Sequence, residues 1–230
     1  MKKNIIIIGG SSGIGLETVK HLHTNANVFV ASRSSEGLAG LQVTHIPFDV
    51  TTDTLDTTLL PEEISGLVYC PGSINLRPFK GLKPEAFEED FQINVMGLVR
   101  TLHAVMPKFT AGSSVVLYST VAVKMGMPFH ASVATAKGAL EGLGKSLAAE
   151  WAPKIRVNII APSITDTPLA NRFLNNEAKV EKSAQRHPLK RIGSAQDIAE
   201  LTLFLLSEKS SWMTGQVIGI DGGISALNTH

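Results

Sequence analysis

Short apolar runs rich in β-branched residues alternate with longer helix-periodic stretches from one end of this chain to the other, and that alternation leaves few folds open. The runs cover residues 4–8, 28–31, 44–48, 67–69, 114–119, 156–160 and 216–220, and the helical stretches cover 14–23, 84–109, 128–151 and 195–207. Most runs are apolar on successive residues, the pattern of strands covered on both faces. Strands and helices in alternation give a doubly wound α/β fold: a parallel sheet, right-handed crossovers and helices on both sides. Segment 34–43, interrupted by Gly37 and Gly40, is expected as a loop or stunted helix. No repeat, charge block or linker divides the 230 residues, so 1–230 reads as a single domain.

Composition removes several classes of function. A formal net charge of +1 gives no bulk attraction to nucleic acid or to an anionic membrane. Cys70 is the one cysteine, which excludes an intrachain disulfide and fits a reducing compartment. His21 and His23 lie two apart, hence on different helix faces, and the seven histidines show no ligand-like spacing, so no metal site is expected. The apolar run after Lys3 is too short for a secretory signal and ends directly in glycines; no stretch is long enough to span a bilayer. The expectation is a soluble, cytoplasmic protein.

Gly9-Gly10-Ser11-Ser12-Gly13-Ile14-Gly15 joins the first strand to the first helix. Glycines permit a tight turn and close approach of backbone to a pyrophosphate, while free N–H groups at the helix start face the phosphates. A plain strand–helix turn could use the same residues; the position in the first βα unit favours a dinucleotide. The second run ends in Ala31-Ser32-Arg33, with no acid for the ribose hydroxyls. A guanidinium at Arg33 suits a 2′-phosphate, so NADP(H) is favoured over NAD(H), the alternative being a solvated surface arginine.

Further strings make the chain resemble the short-chain dehydrogenase/reductase family over nearly its whole length. The glycine spacing is similar to that family's Thr-Gly-x-x-x-Gly-Ile-Gly, with Ile8 at the threonine position. Asp49-Val50 resembles the pair that brackets the adenine, and Asn94-Val95-Met96-Gly97 the Asn-x-x-Gly of the long central helix. Arg156-Val157-Asn158, Ala161-Pro162 and Thr167 resemble the strand and loop that hold the nicotinamide. Pro188-Leu189 with Arg191, Asp197-Ile198-Ala199, Thr214-Gly215 and Asp221-Gly222-Gly223 make a family-like ending. The resemblance implies a Rossmann-type sheet of about seven strands and a homo-oligomer, dimer or tetramer. It also implies hydride transfer between NAD(P)(H) and an alcohol/carbonyl pair. The cofactor set it implies joins the glycine turn (Gly9, Ser11, Ser12, Gly13, Ile14, Gly15) to Ser32, Arg33, Asp49 and Val50. Cys70, Pro71, Gly72, Asn94, Lys137, Pro162, Ile164 and Thr167 complete it.

The family's catalytic set is Asn, Ser, Tyr and Lys, with tyrosine four residues before lysine. Lys137 fits the lysine, yet Val133 stands four residues earlier, and neither Tyr69 nor Tyr118 precedes a lysine by four. The serine position, thirteen residues before Val133, holds Thr120, next to Ser119. The family's Asn-Asn-Ala-Gly reads Tyr69-Cys70-Pro71-Gly72, and its Pro-Gly reads Pro162-Ser163. Asn94, Thr120 and Lys137 remain as the matching catalytic candidates.

His130 is a fourth candidate, as proton donor. On a helix it lies about 20° around the axis from Lys137 and about 10 Å along it, and side chains lean toward the N-terminus. That seven-residue separation resembles the Tyr-x6-Lys spacing of enoyl-acyl-carrier-protein reductases in the same superfamily. A histidine titrates near neutrality; the plain alternative is a half-exposed residue near a helix start. Val133 belongs to an apolar stripe with Phe129, Ala136, Leu140, Leu143, Leu147 and Trp151. Lys137 retains its role toward the nicotinamide ribose. Cys70 reads as a small apolar residue, since nothing basic flanks it. Segment 163–188 fits either a substrate lid or a surface excursion. Two functions follow: an NADP(H)-dependent oxidoreductase for a small carbonyl or conjugated enoyl substrate, with an atypical catalytic set, or a catalytically silent NADP(H)-binding sensor or scaffold.

Overall fold

The computed structural model describes residues 2–228. The strands are β1 (Asn4–Ile8), β2 (Asn27–Ser32), β3 (Val43–Pro47), β4 (Ile64–Tyr69), β5 (Phe109–Tyr118) and β6 (Ile155–Pro162), then the two-residue β7 (Thr165–Asp166) and β8 (Gly193–Ser194), and β9 (Val217–Ile220). The α-helices are α1 (Gly13–Leu22), α2 (Pro84–Phe91), α3 (Gly97–Val105), α4 (Val121–Met125), α5 (Ala131–Trp151), α6 (Asn171–Leu174), α7 (Glu177–Gln185) and α8 (Ala195–Leu206). Seven strands form one parallel sheet in the order β3-β2-β1-β4-β5-β6-β9, and β7 pairs with β8 apart from it. Among the described residues no helix is long and apolar enough to cross a membrane.

Continuous apolar strands follow from two covered faces. Ile6 and Ile8 join Leu98 and Leu102 of α3 and Leu140 of α5 in one cluster. Ile5 and Ile7, pointing the other way, join Val19 of α1 and Ile198 and Leu205 of α8 in the second. These side chains are at most 5% exposed, each contributing ~1.5–3 kcal/mol by burial. Ile8 pairs with both Ala31 and Tyr69, so the strand order reverses at β1, and a crevice opens beyond its carboxyl end.

Two predicted helices are shorter than their patterns. The stretch 84–109 breaks into α2, a widened π turn over Gln92–Met96, and α3, then ends at Pro107 in a 3-10 turn. The break has a local cause. Asn94 Nδ2 donates to the Asp90 carbonyl at 2.7 Å, taking the acceptor that a regular helix would reserve for the Asn94 N–H. The stretch 128–151 begins only at Ala131, because Phe129 has φ +71°, outside the helical region. Segment 34–43 holds a single 3-10 turn, Glu36–Leu38. Segment 163–188 carries β7, α6 and α7.

Candidate active site

A cleft of about 1020 Å³ opens at the carboxyl ends of the strands, beyond the switch point. Every residue predicted for the dinucleotide lines it except Asn94, and Thr120, His130 and Lys137 line it too. Asn94 is wholly buried behind Ser73, to which its Nδ2 donates at 3.2 Å. It therefore supports the wall and does not form it.

At one end the glycine turn curls over β1. Gly9 has φ +75°, and a Cβ on Gly15 would stand 2.5 Å from the Gly9 carbonyl oxygen, so neither position accommodates a side chain without movement. Ser12 is the N-cap of α1 but its side chain makes no capping bond, and the first turn holds no acid. The first N–H groups of α1 are thus left for an outside acceptor, with the positive end of the helix dipole behind them. By contrast, α8 closes its own N-terminus with a Ser194–Asp197 capping box, and Arg191 pairs with Asp197 at 2.6 Å. A missing Cβ and an open helix end fit a pyrophosphate.

Arg33 is exposed at the rim. Asp49 Oδ1 accepts from the Thr51 hydroxyl (2.6 Å) and N–H (2.8 Å), which holds the carboxyl below its ordinary range, with a smaller contribution from Arg33. Ser32 is steadied by His45, whose Nε2 lies 3.2 Å from the Ser32 hydroxyl.

At the other end, Lys137 is 6% exposed and its Nζ donates to the Tyr118 carbonyl at 2.7 Å. Burial pushes its pKa down to about 8, against the pull of Cys70 and Asp90. A Cβ on Gly72 would sit 3.4 Å from Lys137 Nζ and 3.6 Å from Asn94 Oδ1, so the glycine lies beside both groups. Asn94 Oδ1 is buried and, among the described residues, has no hydrogen-bond partner, an acceptor left for water or ligand. Thr120 caps α4, its Oγ1 accepting the Ala122 N–H at 3.3 Å, so the hydroxyl proton stays available. Val133, 5% exposed, forms apolar wall.

His130 requires a correction. It is the N-cap residue of α5, outside the helix, and its Nδ1 lies 2.8 Å from the Pro128 carbonyl. It reaches the cleft wall from a loop, without the helical phase relation to Lys137 that the spacing predicts. Neither tyrosine hydroxyl is free: Tyr69 donates to the Ile93 carbonyl at 2.6 Å, and Tyr118 shares a 2.7 Å bond with Thr202. Burial raises the pKa of both. Burial also pushes the Cys70 thiol up to about 12, as suits a packing residue.

Two features leave little trace in the sequence. Asp90, 0% exposed, accepts from Ser73 and Asn75 on one oxygen and from Ser132 on the other. This network ties α2 to the start of α5 and to the wall at Ser73. Its one local signal is an acid four residues before Asn94, on the buried side of a helix. His187, 2% exposed, bridges the Ser183 carbonyl and the Ser163 hydroxyl at 2.8 Å each, fastening the end of α7 to the loop after β6.

The sheet order, the crevice at its switch point and the open glycine turn define a Rossmann-type α/β protein. A family profile described as enoyl-(acyl carrier protein) reductase matches residues 9–225. L-xylulose reductase of Bos taurus is 30% identical over 237 residues, 97% of each chain. A short chain dehydrogenase family protein of Francisella tularensis superposes with a TM-score of 0.90 at 27% identity, covering 99% of this chain and 100% of the other. The structure of ElxO with NADP bound is similar at 25% identity and TM-score 0.86, with 99% and 100% covered. The chain belongs to the short-chain dehydrogenase/reductase family.

Proposed function

We propose that the protein is an NADP(H)-dependent oxidoreductase that acts on a carbonyl/alcohol pair or a conjugated enoyl bond with an atypical catalytic set. The observation that carries this is one cleft joining an uncapped glycine turn to Lys137 and Thr120, with Val133 where the family has its tyrosine. The nicotinamide, when bound, supplies or accepts a hydride. Arg33 meets the 2′-phosphate, as the NADP held by a similar protein supports. Lys137 bonds the nicotinamide ribose, and its charge, present below about pH 8, favours negative charge growing on a substrate oxygen. Thr120 donates its free proton in a hydrogen bond to that oxygen, and Asn94, behind the wall, holds a water through its unpartnered carbonyl. The proton comes from His130 or from water. The enoyl alternative draws support from the name of the matching family profile. The same reading has the protein in the cytoplasm as a dimer or tetramer acting on a small molecule, with no nucleic-acid or membrane partner.

The test is a panel of aldehydes, ketones, quinones and enoyl thioesters with NADPH and NADH. Turnover with NADPH is expected, with NADPH preferred by about tenfold or more, and Arg33→Ala should remove most of that preference, as loss of a charge-assisted contact worth ~1.5–3 kcal/mol requires. Tight NADPH binding without turnover would instead assign the silent sensor or scaffold, the reading favoured by Val133 and by tyrosine hydroxyls already engaged elsewhere.

A further inference from the structure

Three cations line the cleft from α7 and its C-cap: Lys179 and Lys182 on the helix and Arg186 directly after it. At 100° per residue they fall within about 60° of one another, while Glu177 and Glu181 lie on the opposite side of the helix. Among the described residues, the side chains of Lys182 and Arg186 make no hydrogen bond or ion pair within the protein. Lys179 Nζ meets only neutral oxygens, of Asn175 at 2.8 Å and Arg172 at 3.4 Å. The helix dipole accounts for cations at the C-terminal end, though not for the face they take, and it disfavours Lys179 in the first turn. The orientation is held at both ends, by the Asn176 cap onto the Lys179 N–H (2.9 Å) and by the bonds of His187.

The charge is not balanced across the cleft. Its acidic lining residues, Glu36 and Asp49, belong to the β2 and β3 side, where the adenosine lies in the proposed reading. The lining also includes the apolar side chains Ile74, Leu76, Met127, Val133 and Phe173, beside the polar Thr120, His130 and Lys137 of the reaction end. All three cations are exposed, so their attraction for an anion is screened by salt and rests on their number and common face.

We propose that Lys179, Lys182 and Arg186 form an anion-binding rim that selects an acidic small-molecule substrate, apolar around its reacting carbon and carrying a carboxylate or phosphate at its far end. This rests on the oxidoreductase reading, which assigns the glycine turn to the cofactor and leaves α7 to the substrate.

The experiment compares matched pairs that share a reacting bond: trans-2-decenoyl-CoA against its N-acetylcysteamine thioester, and 4-carboxybenzaldehyde against benzaldehyde. The acidic member of at least one pair should be preferred tenfold or more in kcat/KM, the CoA pair reporting phosphate and the aldehyde pair carboxylate. K182E/R186E should collapse that preference, with KM for the acidic member raised and NADPH affinity held within twofold. E177K/E181K, on the far face, should leave the preference standing. Equal use of acidic and neutral members, or loss of NADPH affinity matching the loss for substrate, would overturn the proposal. Decanoyl-CoA titrated onto the NADPH-loaded protein separates the two readings. Binding that K182E/R186E abolishes, without turnover of any substrate, keeps the rim and removes the enzyme; turnover without preference keeps the enzyme and removes the rim.

Discussion

The two ends of the cleft are built by different means. The glycine end is backbone: Gly9, Gly15 and the bare N–H groups of α1 come from seven consecutive residues, and what matters there is the side chains that are missing. The reaction end is made of side chains from separate segments, Thr120 after β5, His130 before α5, Lys137 within it, and Asn94 with Asp90 beneath. A backbone site should tolerate changes of polarity and fail on volume. A side-chain site should respond to charge and pH.

The largest effect should come from the smallest added group. Gly15→Ala brings a Cβ to 2.5 Å from the Gly9 carbonyl oxygen and 3.0 Å from the Gly10 Cα, both backbone atoms that do not rotate away. Overpacking of this kind costs ~1–3 kcal/mol and displaces the turn that the phosphates need, so NADPH affinity should fall by about 100-fold. Fluorescence titration with NADPH measures it. A loss of less than threefold would show the turn to be pliable and would erase the distinction between the two ends.

The same contrast decides what the sequence could reveal. Parallel strands buried on both faces leave continuous apolar runs, so all seven strands of the main sheet were legible, with ends moved by a few residues, as at β4 and β5. The glycine turn was legible because it is local. Asn94, Thr120 and Lys137 were found only through family resemblance, since their meeting depends on packing among α2, β5 and α5. The break in the helix at Asn94 was hidden, because apolar periodicity continues through a π turn. Asp90 carries little local signal, because an acid on a helix is ordinarily solvated, and nothing nearby in the sequence announces Ser73 and Ser132 as its partners. The cations of α7 did share a face in the sequence, but only the fold shows that this face meets the cleft.

Lys137→Ala should act next, lowering NADPH affinity by about tenfold, the scale of one hydrogen bond to a charged donor. Its pH dependence sharpens the comparison. Because burial lowers the folded-state pKa to about 8, the ammonium is present below that pH and is lost above it. The contribution of Lys137 to cofactor binding should therefore fade between about pH 7 and 9. Its effect on folding runs the other way: above about pH 8 the unfolded chain binds the extra proton, so this group adds stability as pH rises toward the ordinary lysine range. NADPH titrations and thermal melts at several pH values should show the opposite trends, and Lys137→Ala should flatten both. Unchanged NADPH affinity in that variant would remove Lys137 from the ribose site.

His130→Phe should touch turnover alone and tests where the reaction end stops. The side chain reaches the cleft from a loop, with Nδ1 beside the Pro128 carbonyl, so a protonated Nδ1 donates to that carbonyl and leaves Nε2 as the nitrogen that can exchange a proton with substrate. Phenylalanine keeps the ring and removes both nitrogens. If His130 delivers the proton, turnover should drop about tenfold or more, within the ~10²–10⁴ range of general-acid catalysis less what water restores, and the shape of the pH–rate profile should change. NADPH affinity should not move, since no atom of His130 is needed at the glycine end. Full turnover with an unchanged profile would exclude His130 and leave water, polarised by Lys137 and held by the bare carbonyl of Asn94, as the proton source; the reaction end would then close at Lys137, Thr120 and Asn94.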